Sequence, residues 1–250
     1  MRFSMLPVTG LALLFASPVF AQDMQMPWSG LYAGVNAGYG HSESNSAVTG
    51  QAAANTANIA DGARPANVKM NSQGAIGGFQ LGVNSQYDAW VFGIETDIQA
   101  TTIRNDSNIV TTGTLFPGTR NNQFMSELDY LGTVRGRVGY AWDNVMFYGT
   151  GGFAYGGVKQ TVNLFGPNPG AVSQFAGRFG KTETGYTVGG GLEFMVAPGL
   201  STKTEFLYYN LGSSNVSAGV VAGNGGTGTG YNVNFKNYGS LIRIGLNYKL

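Results

Sequence analysis

The chain alternates. From Trp28 to Gly40, one parity reads Leu31, Ala33, Val35, Ala37 and Tyr39; the other reads Gly30, Tyr32, Gly34, Asn36 and Gly38. The same period of two recurs over 73–87, 90–103, 128–142, 184–196, 200–210 and 238–250. It is less clean over 145–158, where Phe147, Phe153 and Tyr155 still share a parity. Side chains of a strand point to opposite faces in turn, so this pattern predicts eight strands. The expected connections differ in length. Residues 87–89, 143–144 and 197–199 read as tight turns rich in Asp, Asn, Gly and Pro. Residues 41–73, 104–124, 159–183 and 212–235 read as long loops rich in Asn, Gly, Ser and Thr. Short turns at one end and long loops at the other are the arrangement of a barrel that spans a membrane.

Composition decides which way the alternation faces. Charged residues make up 11% of the chain, against roughly 25% in ordinary soluble domains. Sorted by parity, Glu95, Asp97, Asp129, Glu193 and Glu205 fall on the side opposite the large apolar residues, together with Arg135, Arg137, Lys203, Arg243 and Lys249. A soluble barrel turns its charges to water, whereas a membrane barrel turns them inward. These ten residues are therefore expected to form a paired interior network that leaves no large pore. Glycines such as Gly34, Gly82, Gly93 and Gly191 share that parity and leave room for long side chains. Aromatics gather toward the strand ends. Trp28, Tyr87, Trp90, Tyr140, Trp142 and Tyr248 lie near the short turns, and Tyr39, Tyr130, Tyr155, Tyr186, Tyr208 and Tyr238 near the long loops, as two girdles at the headgroup layers would require. A soluble, lipocalin-like periplasmic binder is the alternative on location.

The N-terminus, MRFSMLPVTGLALLFASPVFAQ, has Arg2, a short apolar run and small residues at Val19 and Ala21. This predicts a signal peptide over 1–21 and an exported barrel over 22–250. The chain has no Cys and a formal net charge of +1. Thiol chemistry and disulfides are thereby excluded, and a nucleic-acid partner is not expected. The single His, His41, provides neither a catalytic triad nor a His-rich metal site. It, or a loop tyrosine such as Tyr231, is a weak candidate for a haem ligand. Glu95 and Asp97 could form an acid–base pair, against the simpler reading of charge pairing with Arg135 or Arg137. An enzyme is not expected.

Several motifs carry a family resemblance. WSGLYAGVNAGY (28–39), LGTVRGRVGYAWDNVMFYGTGGFAYG (131–156), GYTVGGGLEF (185–194), KTEFLYYNLG (203–212) and SLIRIGLNYKL (240–250) resemble, in order, the strands of small alphaproteobacterial outer-membrane proteins of the Brucella, Bartonella and rhizobial type. The resemblance implies an eight-stranded antiparallel transmembrane β-barrel like the membrane domain of outer membrane protein A. It implies a structural or adhesive surface protein that contributes to envelope integrity, with haemin binding among some relatives. The implied partners are outer-membrane lipid and lipopolysaccharide, the barrel-assembly machinery, and a host or environmental ligand at the loops. Family members usually end on an aromatic residue read during insertion. Here that signal would fall to Tyr248 and Leu250.

Overall fold

The computed structural model describes residues 27–168 and 171–250. The expected signal peptide lies outside the described residues. Eight strands, β1 (Gly30–Gly50), β2 (Asn67–Tyr87), β3 (Trp90–Thr112), β4 (Thr119–Trp142), β5 (Val145–Pro167), β6 (Ser173–Ala197), β7 (Leu200–Val220) and β8 (Gly230–Lys249), pair antiparallel in chain order. β8 closes on β1, so the sheet forms a barrel. A short helix, α1 (Ala53–Ala60), lies in the β1–β2 connection.

The strand count matches the alternation, but the connections opposite the tight turns are shorter than expected. They span only residues 51–66, 113–118, 168–172 and 221–229. The rest of each predicted loop continues as strand. The physical reason is that the alternation persists there with its sign reversed. On β2, outward Phe79, Leu81, Val83 and Tyr87 are exposed, as membrane-facing side chains of a barrel are. Farther along the same strand the exposed positions become Asn67, Lys69, Asn71 and Gln73, while Val68 and Met70 turn inward and are buried. A stretch lacking outward apolar residues resembles a loop when only a lipid-facing strand is sought.

The molecule therefore has two zones. The apolar belt on β2 runs from Tyr87 to Ala75, thirteen positions, which at ~3.3 Å per residue and a tilt of roughly 40° rises roughly 30 Å, the thickness of a bilayer core with its flanking girdles. Within this belt the ladders run without a break, as from Tyr87↔Trp90 to Ile76↔Thr101 and from Met195↔Ser201 to Tyr186↔Asn210; the one irregularity of β6 with β7 here, between Met195 and Ala197, sits beside the tight turn at the rim. Continuity is obligatory there, because an unpaired backbone amide in hydrocarbon has no water to bind.

Above the belt the wall divides. Pairing of β2 with β3 ends at Gln73↔Arg104. Pairing of β6 with β7 lapses between Tyr186↔Asn210 and Ala176↔Gly219. Two four-stranded sheets result, β7-β8-β1-β2 and β3-β4-β5-β6, rejoined near the tip by Phe175↔Val220. They pack face to face like a β-sandwich. Val68, Met70, Val233 and Phe235 from one sheet meet Phe124, Val162, Leu164 and Phe175 from the other in one buried cluster. Arg64 is buried at the top of this core, with its guanidinium donating to Asn122 Oδ1 (2.8 Å) and Gln174 Oε1 (3.1 Å). Desolvation without a facing carboxylate pushes its pKa down.

Because this outer core is packed like that of a soluble protein, truncating it should cost what such a core costs. Phe124→Ala removes a fully buried ring and is expected to lower the unfolding free energy in lipid vesicles by about 3–5 kcal/mol. Phe79→Ala removes a belt ring that is 70% exposed and should lower it less. Equal losses in denaturant titrations would contradict the two-zone packing.

Candidate functional site

The candidate site is the interior of the belt. Its side chains are set by strand register. Glu95 lies directly opposite Arg135, Glu193 opposite Lys203, and Glu205 opposite Arg243. Opposite charges facing one another across a ladder attract. Here all of them also point into the barrel, so the pairs merge. Arg135 donates from Nη2 to Glu95 (2.6 Å) and Asp97 (2.9 Å), and from Nη1 to Glu205 (2.9 Å). Arg243 reaches Asp97 (2.7 Å) and Glu205 (2.8 Å). Lys203 Nζ lies 2.7 Å from both oxygens of Glu95. Arg137 Nη2 donates to Glu193 (2.6 Å), and its guanidinium lies 4.2 Å from the centroid of the Tyr148 ring. Tyr32 and Tyr148 hydroxyls donate to Glu95 and Glu205 at 2.7 and 2.9 Å.

Eight of the ten sequence candidates thus meet: Glu95, Asp97, Glu193 and Glu205 with Arg135, Arg137, Lys203 and Arg243, all buried. Two do not. Asp129 sits at a bulge, where the register shifts between Leu128 and Tyr130 and the inward parity of β4 changes from even to odd. It pairs instead with Lys159 at 2.7 Å on the outer wall. Lys249 is exposed at the rim of the short-turn end, because β8 runs out there. Since one acid and one base drop out together, the buried set stays balanced at four against four.

The network is sealed on both sides. Toward the short turns, Trp28, Val91, Met146 and Tyr148 form a plug. Trp28 is therefore 5% exposed and belongs to this plug, not to the aromatic girdle where its position near the strand end placed it. A crevice of about 30 Å³ between Trp28, Tyr32, Glu193, Asn247 and Lys249 has room for about one water. Toward the other end lies an apolar layer that includes Ile76, Ile103, Leu131, Leu207 and Leu241. Above it Gln160, Ser214 and Asn237 bond to one another at 2.7–3.0 Å. The inward glycines serve this filling: a methyl group at Gly82 would meet the Tyr32 ring, and one at Gly191 the Tyr148 ring.

The remaining candidates are dispersed. His41 lies in β1, not in a loop, because β1 continues to Gly50. It faces outward, 3.3 Å from Glu43. Tyr231 is fully buried in the outer core, edge-on to Phe175 with ring centroids 4.9 Å apart. Ser240 is the register partner of His41, so Tyr231 lies nine residues farther along β8, roughly 30 Å away at ~3.3 Å per residue. They are two separate positions, not one site. Tyr248 and Leu250 are both exposed on the belt face, and the Leu250 amide donates to Leu31 O at 2.8 Å. Among the described residues no cluster of His, Asp and Glu could hold a metal ion. Sequence reasoning missed Asp61. Its carboxylate accepts the amides of Thr114, Leu115 and Phe116 at 2.7–3.1 Å and fixes the β3–β4 tip. Those bonds hold its pKa below the usual value of 3.8.

A closed antiparallel ring with an apolar outer belt, a neutralised polar interior and an even strand number defines an outer-membrane β-barrel. The outer membrane protein beta-barrel domain family matches residues 9–249, and the chain belongs to that family. It is 32% identical to the 31 kDa outer-membrane immunogenic protein of Brucella melitensis, over 94% of this chain and 88% of that protein. Identity to the 22 kDa outer membrane protein of Rhizobium leguminosarum is also 32%, over 55% of this chain and 56% of that protein. Among solved structures, OprG of Pseudomonas aeruginosa is similar at a TM-score of 0.48 and 13% identity, covering 89% of this chain and 97% of that one. Escherichia coli OmpT gives 0.47 and 12%, covering 88% and 96%. The protein resides in the cell outer membrane; barrels of this class place their short turns on the periplasmic side.

Two outcomes follow. Arg135→Ala strands buried carboxylates and should destabilise the barrel by about 3–5 kcal/mol in denaturant titrations; an unchanged transition would mean that the guanidinium is not desolvated. A depressed carboxyl pKa stabilises fully above the unfolded value, and the stabilisation is lost as pH falls through the folded one. Amide exchange at 114–116 should therefore accelerate, relative to the rest of the chain, only below pH 3.8, the ordinary value for Asp61. In Asp61→Asn it should be fast at every pH.

Proposed function

We propose that this outer-membrane surface protein is a non-conducting structural barrel. It supports envelope integrity and holds a rigid, polar β-sandwich above the membrane as a contact surface. The observation that carries this reading is the unbroken filling of the interior. From the periplasmic plug through the ion network, the apolar layer, the Gln160–Ser214–Asn237 trio and the outer core, every level is occupied by packed side chains. A barrel of this strand number has an interior only wide enough for side chains. No acid in the network is left without a cation partner, so proton transfer chemistry has no free group to use.

One observation favours an adhesive role for the same outer surface. The β3–β4 tip presents Leu115, 78% exposed, and Phe116, 42% exposed, on a loop that Asp61 holds in place. Rigid apolar side chains at a protruding tip lose little entropy on docking.

Planar-bilayer recording tests the structural reading. Purified, refolded protein should give no stable conductance of porin size, and Arg135→Ala should add at most brief openings. Stable conductance of that size from the unaltered protein would overturn it.

A further inference from the structure

The outer wall of the belt carries a groove of about 430 Å³, lined by Tyr87, Asp88, Trp90, Phe92 and Val138. It lies at the periplasmic end, where the β2–β3 turn meets the aromatic girdle. Tyr87, Trp90, Phe92 and Val138 are 65%, 52%, 46% and 47% exposed. Register places them side by side: Trp90 pairs with Tyr87 and Tyr140, and Phe92 with Val138. Trp90 is held in an edge-to-face contact by Tyr140, with ring centroids 5.5 Å apart and planes at 85°. The groove walls are thus apolar and aromatic.

The polar end of the groove is a single carboxylate. Asp88 occupies the left-handed region, at φ 53°, in the two-residue turn. The Gln86 side-chain amide fixes the turn by donating to the Asp88 carbonyl at 2.8 Å. No lysine or arginine lines the groove. Apolar walls in the hydrocarbon, with an anion at the headgroup layer, select an amphiphile that carries a cation at its polar end. An anionic headgroup would meet Asp88 as a like charge.

We propose that this groove seats an aminophospholipid of the periplasmic leaflet. Its ammonium lies against the Asp88 carboxylate, and one acyl chain runs along Trp90, Phe92 and Val138. The site rests on the outer-membrane placement and is independent of whether the barrel conducts. Exposed charge pairs contribute modestly, so a preference of about three- to fivefold is the expected size.

Native mass spectrometry of the whole protein from nanodiscs tests the proposal. The discs would contain equal phosphatidylethanolamine and phosphatidylglycerol. The unaltered protein should retain ethanolamine lipid over glycerol lipid about three- to fivefold. Asp88→Asn keeps a residue that tolerates positive φ and should abolish the preference. Asp143→Asn alters the equivalent turn, at φ 52°, and should preserve it. Trp90→Ala should reduce retention of both lipids, since it removes the wall. Equal retention by the unaltered protein would overturn the proposal. So would a preference that survives Asp88→Asn, or one lost equally in Asp143→Asn, which would assign it to rim charge in general.

Discussion

A strand that crosses hydrocarbon must pair every backbone amide on both sides, because no solvent is there to do it. The rest of this structure depends on that requirement. Where the outward face is apolar, the strands pair around the closed ring and irregularities fall at the edges of the belt. Where the outward face turns to Asn, Ser, Thr and Lys, two of the ladders lapse and the wall separates into sheets. Water can satisfy those edges, so their opening is tolerated only above the belt.

Closing the ring creates a second problem, which the interior network solves. Inward positions of the belt carry ionised groups, and desolvating a charge is expensive unless it is paired and hydrogen-bonded. Cross-strand register places Glu95 against Arg135, Glu193 against Lys203 and Glu205 against Arg243. Thr133, Ser201, Tyr32, Tyr148 and Asn247 add further hydrogen bonds to these ions. Above the belt the requirement reverses. The outward face meets water, the inward face becomes Val, Leu, Met and Phe, and the same wall encloses a conventional apolar core.

This reversal explains what could be read from the chain and what could not. Period two and the parity of Glu95, Arg135, Glu205 and Arg243 are local properties, so the strands and most of the network were legible. Asp129 was misplaced because a one-residue bulge shifts parity, and a bulge is a property of two paired strands. Trp28 carries the girdle residue type at a girdle position, yet its ring turns into the barrel; only packing against Val91 and Met146 reveals that. The outer extensions read as loops in the sequence because their outward faces are polar. Residues such as Val68, Met70, Val233 and Phe235 were the available signal: alternation continues through them, shifted to the inner face. Asp61 could not be anticipated, since its partners lie 53–55 residues away.

Residue-resolved hydrogen exchange on the protein in lipid addresses the governing constraint most directly. Amides of 76–84 and 186–194 should be protected on both edges of their strands. In 177–185 and 211–218, those facing the open seam should exchange orders of magnitude faster than their neighbours bonded to β5 and β8. Uniform protection through both stretches would contradict the account, as would rapid exchange within the belt.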